Sequence, residues 1–283
     1  MTFLNPAATV FIPDGLPPDA AWRRVSHLGI GAHHDDLEFM AFHGIVACFD
    51  HAGGNWFGGV TCTDGAGSAR TGRYSDFTDE QMRDVRVREQ NAAAVVGRYA
   101  AMAQLAYPSS RLLPDRSRLE ADLEAILRAA QPQVVYTHNL ADKHDSHIGV
   151  AAAALSAIRR LEPGIRPRQV LGCEGWRNLD WLGDGEKVGL DVSGYDHLAA
   201  ALNGIFDSQI AGGKRYDLAV AGRRAANATL FNSHATDAAS QLCFAMDLTP
   251  LIQDGAPEAS GFVLDAVDRF REDVRARLAR FFA

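Results

Sequence analysis

Short apolar runs alternate with longer amphipathic segments through the first two thirds of the chain. The run 24–32 is mostly apolar and stops at four polar residues, which predicts a buried strand that ends in a loop. Further strands are predicted at 56–63, 101–107, 133–137 and 169–173. Apolar residues at helical spacing between the strands predict helices at 37–49, 79–99, 116–130 and 146–161.

This alternation of strands and helices is typical of βαβ crossovers, which build a mainly parallel sheet with helices on both faces. The predicted fold class is therefore α/β, a Rossmann-like three-layer sandwich. A chain of 283 residues, 47% of them hydrophobic, has the size of one large α/β domain. We predict a single domain over 1–283, with a variable elaboration from about residue 176.

The carboxyl-terminal third has a less regular pattern. Strands are predicted at 187–192 and 242–248, and helices at 195–210, 214–228 and 262–282. The last helix repeats apolar residues about every 3.5 positions, at Val263, Val267, Phe270, Val274, Leu278 and Phe281. A stripe of this kind is typical of a helix that packs on the body of its domain, and we expect that packing rather than a subunit contact.

Composition and charge limit which binding partners and which cellular location are expected. The net charge is −7, and the basic residues are interleaved with acids, so no nucleic-acid partner is expected. The longest apolar stretch, 149–158, is about half of the roughly 20 residues that a membrane span needs, and the proline-rich amino terminus has no signal-peptide pattern. The four cysteines are far apart, which favours buried thiols and a cytoplasmic location.

Three polar clusters follow predicted strands, at 33–38, 63–65 and 137–147. In an open parallel sheet, ligands bind outside the carboxyl ends of the strands. A catalytic zinc ion takes three protein ligands from imidazole and carboxylate groups and keeps one position open. His33, Asp36 and His147 could supply these ligands if the crossovers bring two strand ends together.

The same residues also have ordinary structural interpretations. Adjacent aspartates at a helix start are usually capping residues, and a lone pair of histidines three apart is more often a surface feature than a metal site. His144 and His147 share one face of a helical turn, so one could bind metal while the other faces substrate. The joint occurrence of the clusters at strand ends favours the metal site.

The sequence HHDDLE at 33–38 resembles the AHxDDxE signature of the PIG-L/LmbE-like zinc deacetylases, and HDSH at 144–147 resembles their HxDH signature. Two further segments, TDG at 63–65 and the RxxE…AA…G pattern at 86–97, also resemble the family. The resemblance runs from about residue 25 to 150 in the expected order.

The resemblance implies roles for five residues. His33, Asp36 and His147 would bind Zn²⁺, Asp35 would be the general base, and His144 would stabilise or protonate the intermediate. The implied reaction is hydrolysis of an N-acetyl group on an amino sugar or small glycoconjugate, which releases acetate and a free amine. The resemblance is also compatible with a homo-oligomer.

Two positions depart from the family pattern. His34 stands where the family usually has proline or a small residue, and Ser146 stands where it usually has an aspartate. That aspartate is expected to tune the nearby histidine, so Ser146 changes what sets the pKa of His144.

Other polar residues are candidates for contact with substrate. Asp64 and Arg86 could bind sugar hydroxyls, and His234 could reach the site from the same or a neighbouring subunit. Further candidates for the pocket are His138, Asp142, Trp176 and Arg177.

Three rival functions stay open at this point. The first is an amidase of the same family that acts on a larger conjugate or natural-product acyl group. The second is a non-catalytic metal-binding protein, although Asp35 argues against it, since metal storage needs no second carboxylate beside the ligand. The third, a nucleotide-binding Rossmann enzyme, is disfavoured because no third glycine follows Gly29 and Gly31 to open a helix for a pyrophosphate.

Overall fold

The computed structural model describes residues 1–232 and 234–282, which form one eight-stranded sheet with the order β1-β4-β3-β2-β5-β6-β8-β7. Strands β2 to β6 are parallel to one another, whereas β1, β7 and β8 pair in antiparallel fashion with their neighbours. The prediction of a mainly parallel sheet is confirmed. The strands are β1 (Thr9–Phe11), β2 (His27–Gly31), β3 (Phe57–Thr63), β4 (Ala101–Tyr107), β5 (Val134–His138), β6 (Gln169–Cys173), β7 (Lys187–Asp191) and β8 (Leu242–Asp247).

Helices cover both faces of the sheet, so that two hydrophobic cores form. They are α1 (Pro18–Arg23), α2 (Asp36–Met40), α3 (Phe42–Cys48), α4 (Asp79–Val96), α5 (Arg116–Ala130), α6 (Asp145–Arg159), α7 (Asp196–Ile205), α8 (Asp207–Ile210), α9 (Tyr216–Leu230) and α10 (Ala259–Ala279). One core contains α1, α5, α6 and the first turns of α10, and the other contains α2, α3, α4 and α7. The predicted three-layer sandwich is confirmed.

The helix predicted at 37–49 is broken in two at Ala41, where φ is −100° and ψ is 17°. The buried guanidinium of Arg224 explains the break, because its Nη2 donates to the carbonyl oxygens of Glu38 (2.7 Å) and Phe39 (3.1 Å). In a continuous helix these oxygens would accept from backbone N–H groups four residues later. A contact from α9 therefore decides where α2 ends.

Helix α10 corrects the expectation for the terminal helix. Val263 and Ala266 are buried, but the rest of the apolar stripe, from Val267 onwards, is exposed to solvent. The prediction that the stripe packs on the body is wrong beyond the first two turns.

All four cysteines are buried and free, as the spacing predicts. No helix within 1–232 and 234–282 is long and apolar enough to cross a membrane.

Candidate metal centre

The carboxyl ends of β2 and β5 are neighbours in the sheet, although about 100 residues separate them along the chain. His33 and Asp36 follow β2, and His147 lies in the first turn of α6, just after β5. The crossover topology therefore brings together the two clusters that the sequence places at strand ends.

The three predicted metal ligands meet through one nitrogen or carboxylate group each. His33 Nδ1 lies 3.3 Å from Asp36 Oδ2 and 3.2 Å from His147 Nε2, and His147 Nε2 lies 3.5 Å from Asp36 Oδ1. Zn–N and Zn–O bonds of about 2.0 to 2.2 Å in a tetrahedral site put the ligand atoms roughly 3.4 Å apart. The spacing of the three groups is therefore close to that of zinc ligands, with the two distances to Asp36 running to different oxygens of its carboxylate.

Two further groupings share His147, and either is close enough to hold a metal ion: His33 with His144, and Asp36 with His138. In the second grouping, His138 Nε2 already accepts the backbone N–H of Ala32 at 2.9 Å. Its ring stacks on His147 with the centroids 3.9 Å apart, and burial lowers the pKa of His138 to about 4. His138 Nε2 also lies 3.3 Å from Asp36 Oδ2, and the ring lines the cavity beside the three predicted ligands. Its place after a strand, within the third polar cluster, was the only signal for it in the sequence.

The charges at the centre are strongly coupled. Burial by itself would raise the pKa of Asp36, but the nearby His147, His138 and His33 hold that pKa well below its usual range. Burial lowers the pKa of His147, yet Asp36 and Asp142 outweigh this effect and raise it. These contacts keep Asp36 in its carboxylate form, the form that binds a metal ion.

Asp142 fixes the orientation of His147. Its Oδ2 accepts from His147 Nδ1 at 3.2 Å and from the backbone N–H of Trp176 at 3.0 Å. Its Oδ1 accepts from the backbone N–H groups of Lys143 (2.6 Å), His144 (3.3 Å) and Arg177 (3.3 Å). The side chain is fully buried, so this carboxylate binds the loop after β5 to the loop after β6. Sequence analysis named Asp142 only as a candidate for the pocket.

Asp35 lies beside the metal candidates but is held by a different set of contacts. Its φ of 95° is in the left-handed region, which is uncommon outside glycine and often marks functional sites. Its Oδ2 accepts from the buried Arg86 Nη2 at 3.0 Å, and Arg86 also donates to the carbonyl oxygen of His34. Burial raises the pKa of Asp35 to about 6, although the charge of Arg86 opposes this shift.

Ser146 links two of the histidines. Its hydroxyl oxygen lies 2.9 Å from His33 Nε2 and 2.8 Å from His144 Nδ1. Burial, His33 and His147 lower the pKa of His144. The departure from the family aspartate therefore replaces a charged neighbour of His144 with a neutral hydroxyl that also touches His33.

A cavity of about 600 Å³ opens over these residues. On one side it is walled by α9 and by Lys214, two residues before it, and on another by the loop after β6. Trp176 from that loop stacks 6.4 Å from His144 and meets Tyr216 edge to face at 5.2 Å. The sequence predicted a helix at 214–228 but did not place it or Tyr216 at the site, because they approach the site only through the fold.

Of the three predicted substrate-binding residues, only one lines the cavity. Arg86 lines the cavity, but its guanidinium is buried and contacts Asp35. Asp64 is buried and accepts from Arg83 Nε at 2.8 Å, and it is not among the residues that line the cavity. His234 is exposed in the loop between α9 and β8 and does not line the cavity either.

Comparison with solved structures shows the fold that this chain shares. It matches a 4-carboxy-2-hydroxymuconate hydratase from Pseudomonas putida with 19% identity and a TM-score of 0.57, over 79% of this chain and 96% of that one. It matches an N,N'-diacetylchitobiose deacetylase from Pyrococcus horikoshii with 16% identity and a TM-score of 0.60, over 77% and 82%. It also matches the A40926 pseudoaglycone deacetylase with 18% identity and a TM-score of 0.56, over 80% and 98%.

These neighbours do not share one reaction, and identities this low establish the fold alone. Among curated proteins, no sequence matches the chain significantly. The family model described as PIG-L, GlcNAc-PI de-N-acetylase, matches residues 28–158, which include every residue of the candidate metal centre. The similarity to the PIG-L family thus covers residues 28–158 of this chain.

Proposed function

We propose that this protein is a zinc-dependent hydrolase that removes an N-acetyl group from an amino sugar or small glycoconjugate, with His33, Asp36 and His147 as the zinc ligands. One observation carries the proposal: three donor groups lie 3.2 to 3.5 Å apart beside a second buried carboxylate, Asp35. The family match and the deacetylases among the structural neighbours agree with this activity.

Hydrogen bonds orient the proposed ligands so that their lone pairs can bind a metal ion. The Asp142 carboxylate accepts the Nδ1–H of His147, which leaves the Nε2 lone pair free to face Asp36 and His33. This carboxylate–histidine arrangement is common behind metal ligands. A bound zinc ion lowers the pKa of water toward about 7 and polarises an acyl oxygen.

Asp35 is the proposed general base. A base works best when its pKa is near the operating pH, and burial raises the pKa of Asp35 to about 6. Arg86 keeps this carboxylate from rotating away, because it donates both to Asp35 and to the preceding backbone carbonyl. A metal-storage protein would have no use for such a group.

His144 is the proposed donor to the developing oxyanion. With His33 Nδ1 facing the other ligands, the proton of His33 lies on Nε2 and is donated to the Ser146 oxygen. The Ser146 hydroxyl then donates to His144 Nδ1, and the proton of a neutral His144 lies on Nε2. His144 can therefore stabilise negative charge as a neutral donor, in keeping with its lowered pKa.

The cavity supports a substrate larger than an acetyl group alone. Its 600 Å³ lies within the range of pockets that hold drug-sized ligands. Trp176 and Tyr216 offer aromatic surface beside His144, which suits the apolar face of a sugar ring next to the amide nitrogen. We place the acyl group at the metal ligands and the amino sugar against these aromatic rings.

A product-release assay tests the proposal. The substrates are N-acetyl amino sugars, chitooligosaccharides and larger N-acyl glycoconjugates, each incubated with metal-stripped and zinc-restored protein. We expect acetate and free amine in equal amounts from at least one N-acetyl amino sugar, only with zinc. Release of longer acyl groups alone would favour an amidase of larger conjugates, and no release by zinc-loaded protein would contradict a hydrolase.

Metal analysis of His147→Ala tests the ligand set separately. Since a three-ligand site has no ligand to spare, zinc affinity should fall sharply. His138→Ala is the comparison variant, because His138 Nε2 already accepts the backbone N–H of Ala32 and is not in the proposed ligand set. If zinc is retained in full by His147→Ala and lost by His138→Ala, the proposed set is wrong.

A further inference from the structure

Helix α10 presents an apolar stripe that no other part of the described chain covers. Six large side chains along α10 and the turn that follows it are between 36% and 83% exposed: Leu264, Val267, Phe270, Val274, Leu278 and Phe281. The burial of Val263 and Ala266, together with an ion pair between Arg269 and Glu186, fixes the first half of the helix on the body. The stripe therefore faces solvent in a defined direction.

The outer residues of this stripe are placed symmetrically about the point between Glu272 and Asp273. Leu264 and Phe281 are equally distant from that point, and so are Val267 and Leu278. Phe270 and Val274 lie on either side of it, one position out of register with each other. If a second copy of the helix lies antiparallel on the first, the outer side chains meet at the same level and Phe270 comes within one residue of the second copy's Val274, so the stripe is self-complementary.

The charges along α10 favour the same direction. Between Ala259 and Asp268 the helix has two acids and no base, whereas from Val274 to its end the chain has three arginines and no acid. An antiparallel pair sets the acidic half of one helix beside the basic half of the other. A parallel pair would set like charges side by side, which disfavours association.

We propose that two copies of this chain associate through α10, with the two helices antiparallel and centred between Glu272 and Asp273. The last turns provide a place for the partner, because Val274, Leu278 and Phe282 border a shallow groove. A helix that lies on a lipid surface usually has a polar face rich in lysine and arginine. The polar positions of α10 instead hold both signs, with pairs such as Arg277–Asp273 and Arg275–Glu272.

Sedimentation over a range of protein concentrations tests the association. The wild type should change from the 30.6 kDa chain to a species of twice that mass. Leu278→Asp should stay monomeric, while the matched control Leu113→Asp, which changes an exposed leucine outside α10, should dimerise like the wild type. Circular dichroism checks that both variants are folded. A wild type that is monomeric throughout, or a Leu278→Asp variant that still dimerises, would overturn the proposal.

Disulfide trapping tests the direction of the helices. Leu264→Cys and Phe281→Cys proteins are mixed in a thiol redox buffer, in which the four buried native cysteines are protected. The antiparallel pair should yield mainly the mixed 264–281 dimer, because these positions lie at the same level. Predominance of 264–264 and 281–281 dimers would show parallel pairing and would overturn the proposed register.

Discussion

Asp142→Asn should weaken zinc binding without any change to a proposed metal ligand. Asp142 accepts five hydrogen bonds, three at Oδ1 from backbone N–H groups and two at Oδ2 from His147 Nδ1 and the Trp176 N–H. In the variant, the asparagine oxygen should take the place of Oδ1, because there it still accepts hydrogen bonds from three backbone N–H groups. Its amide nitrogen then faces His147 Nδ1 and favours a proton on His147 Nε2, the atom that must bind zinc.

The size of the effect follows from these contacts. Loss of the partner that orients a metal-binding histidine typically costs about 10- to 100-fold in metal affinity, or about 1.4 to 2.8 kcal/mol. A hydrogen bond to a charged group contributes about 1.5 to 3 kcal/mol, and the variant loses the one from the Trp176 N–H as well. We therefore expect a 10- to 100-fold rise in the zinc dissociation constant and a lower melting temperature for the metal-free protein.

Competition with a zinc chelator measures the dissociation constant, and calorimetry of the metal-free protein measures its stability. Asp145→Asn is the matched control, because it makes the same change at an exposed position three residues away in the first turn of α6. If Asp142→Asn loses stability but binds zinc as tightly as Asp145→Asn does, then Asp142 is a structural residue and does not position His147.

Three further predictions concern the groups around the centre. Asp35→Asn should keep its zinc while turnover falls by about 10²- to 10⁴-fold, as for a lost general base, and near-normal turnover would contradict that role. Ser146→Asp should raise the pKa of His144 by adding a negative neighbour, so the acid limb of the pH–rate profile, on which neutral His144 forms, should move to higher pH; an unmoved limb would show that residue 146 does not tune His144. Burial raises the folded-state pKa of Glu174, so its contribution to stability is lost as pH rises through that pKa; Glu174→Gln should therefore gain stability over the wild type as pH rises from the acid range to neutrality, measured by urea unfolding, and a difference that stays constant with pH would refute it.

The pattern of apolar residues was sufficient to predict most of the strands and most of the helices that pack on them. The bounds of β4, α5 and β6 agree with prediction to the residue, because each has a clear period and ends at a proline, glycine or polar cluster. The short β1 was not predicted, since three residues on a sheet edge are too few to show a period. The polar clusters after two strands also identified the three residues that converge at the centre, although their role as zinc ligands is still a proposal.

The sequence by itself determined which residues are candidates for the chemistry, because strand ends and family motifs are local features. Only the tertiary structure decided which of them meet. Strand β5 lies beside β2, which brings His147 to His33, and α9 supplies Tyr216 from a distant part of the chain. The same holds for contacts between loops, such as that of Asp142 with Trp176. It also holds for the break between α2 and α3, where the distant Arg224 donates to the backbone of α2. These features depend on pairs of residues far apart in sequence, and periodicity along a single chain contains no information about such pairs.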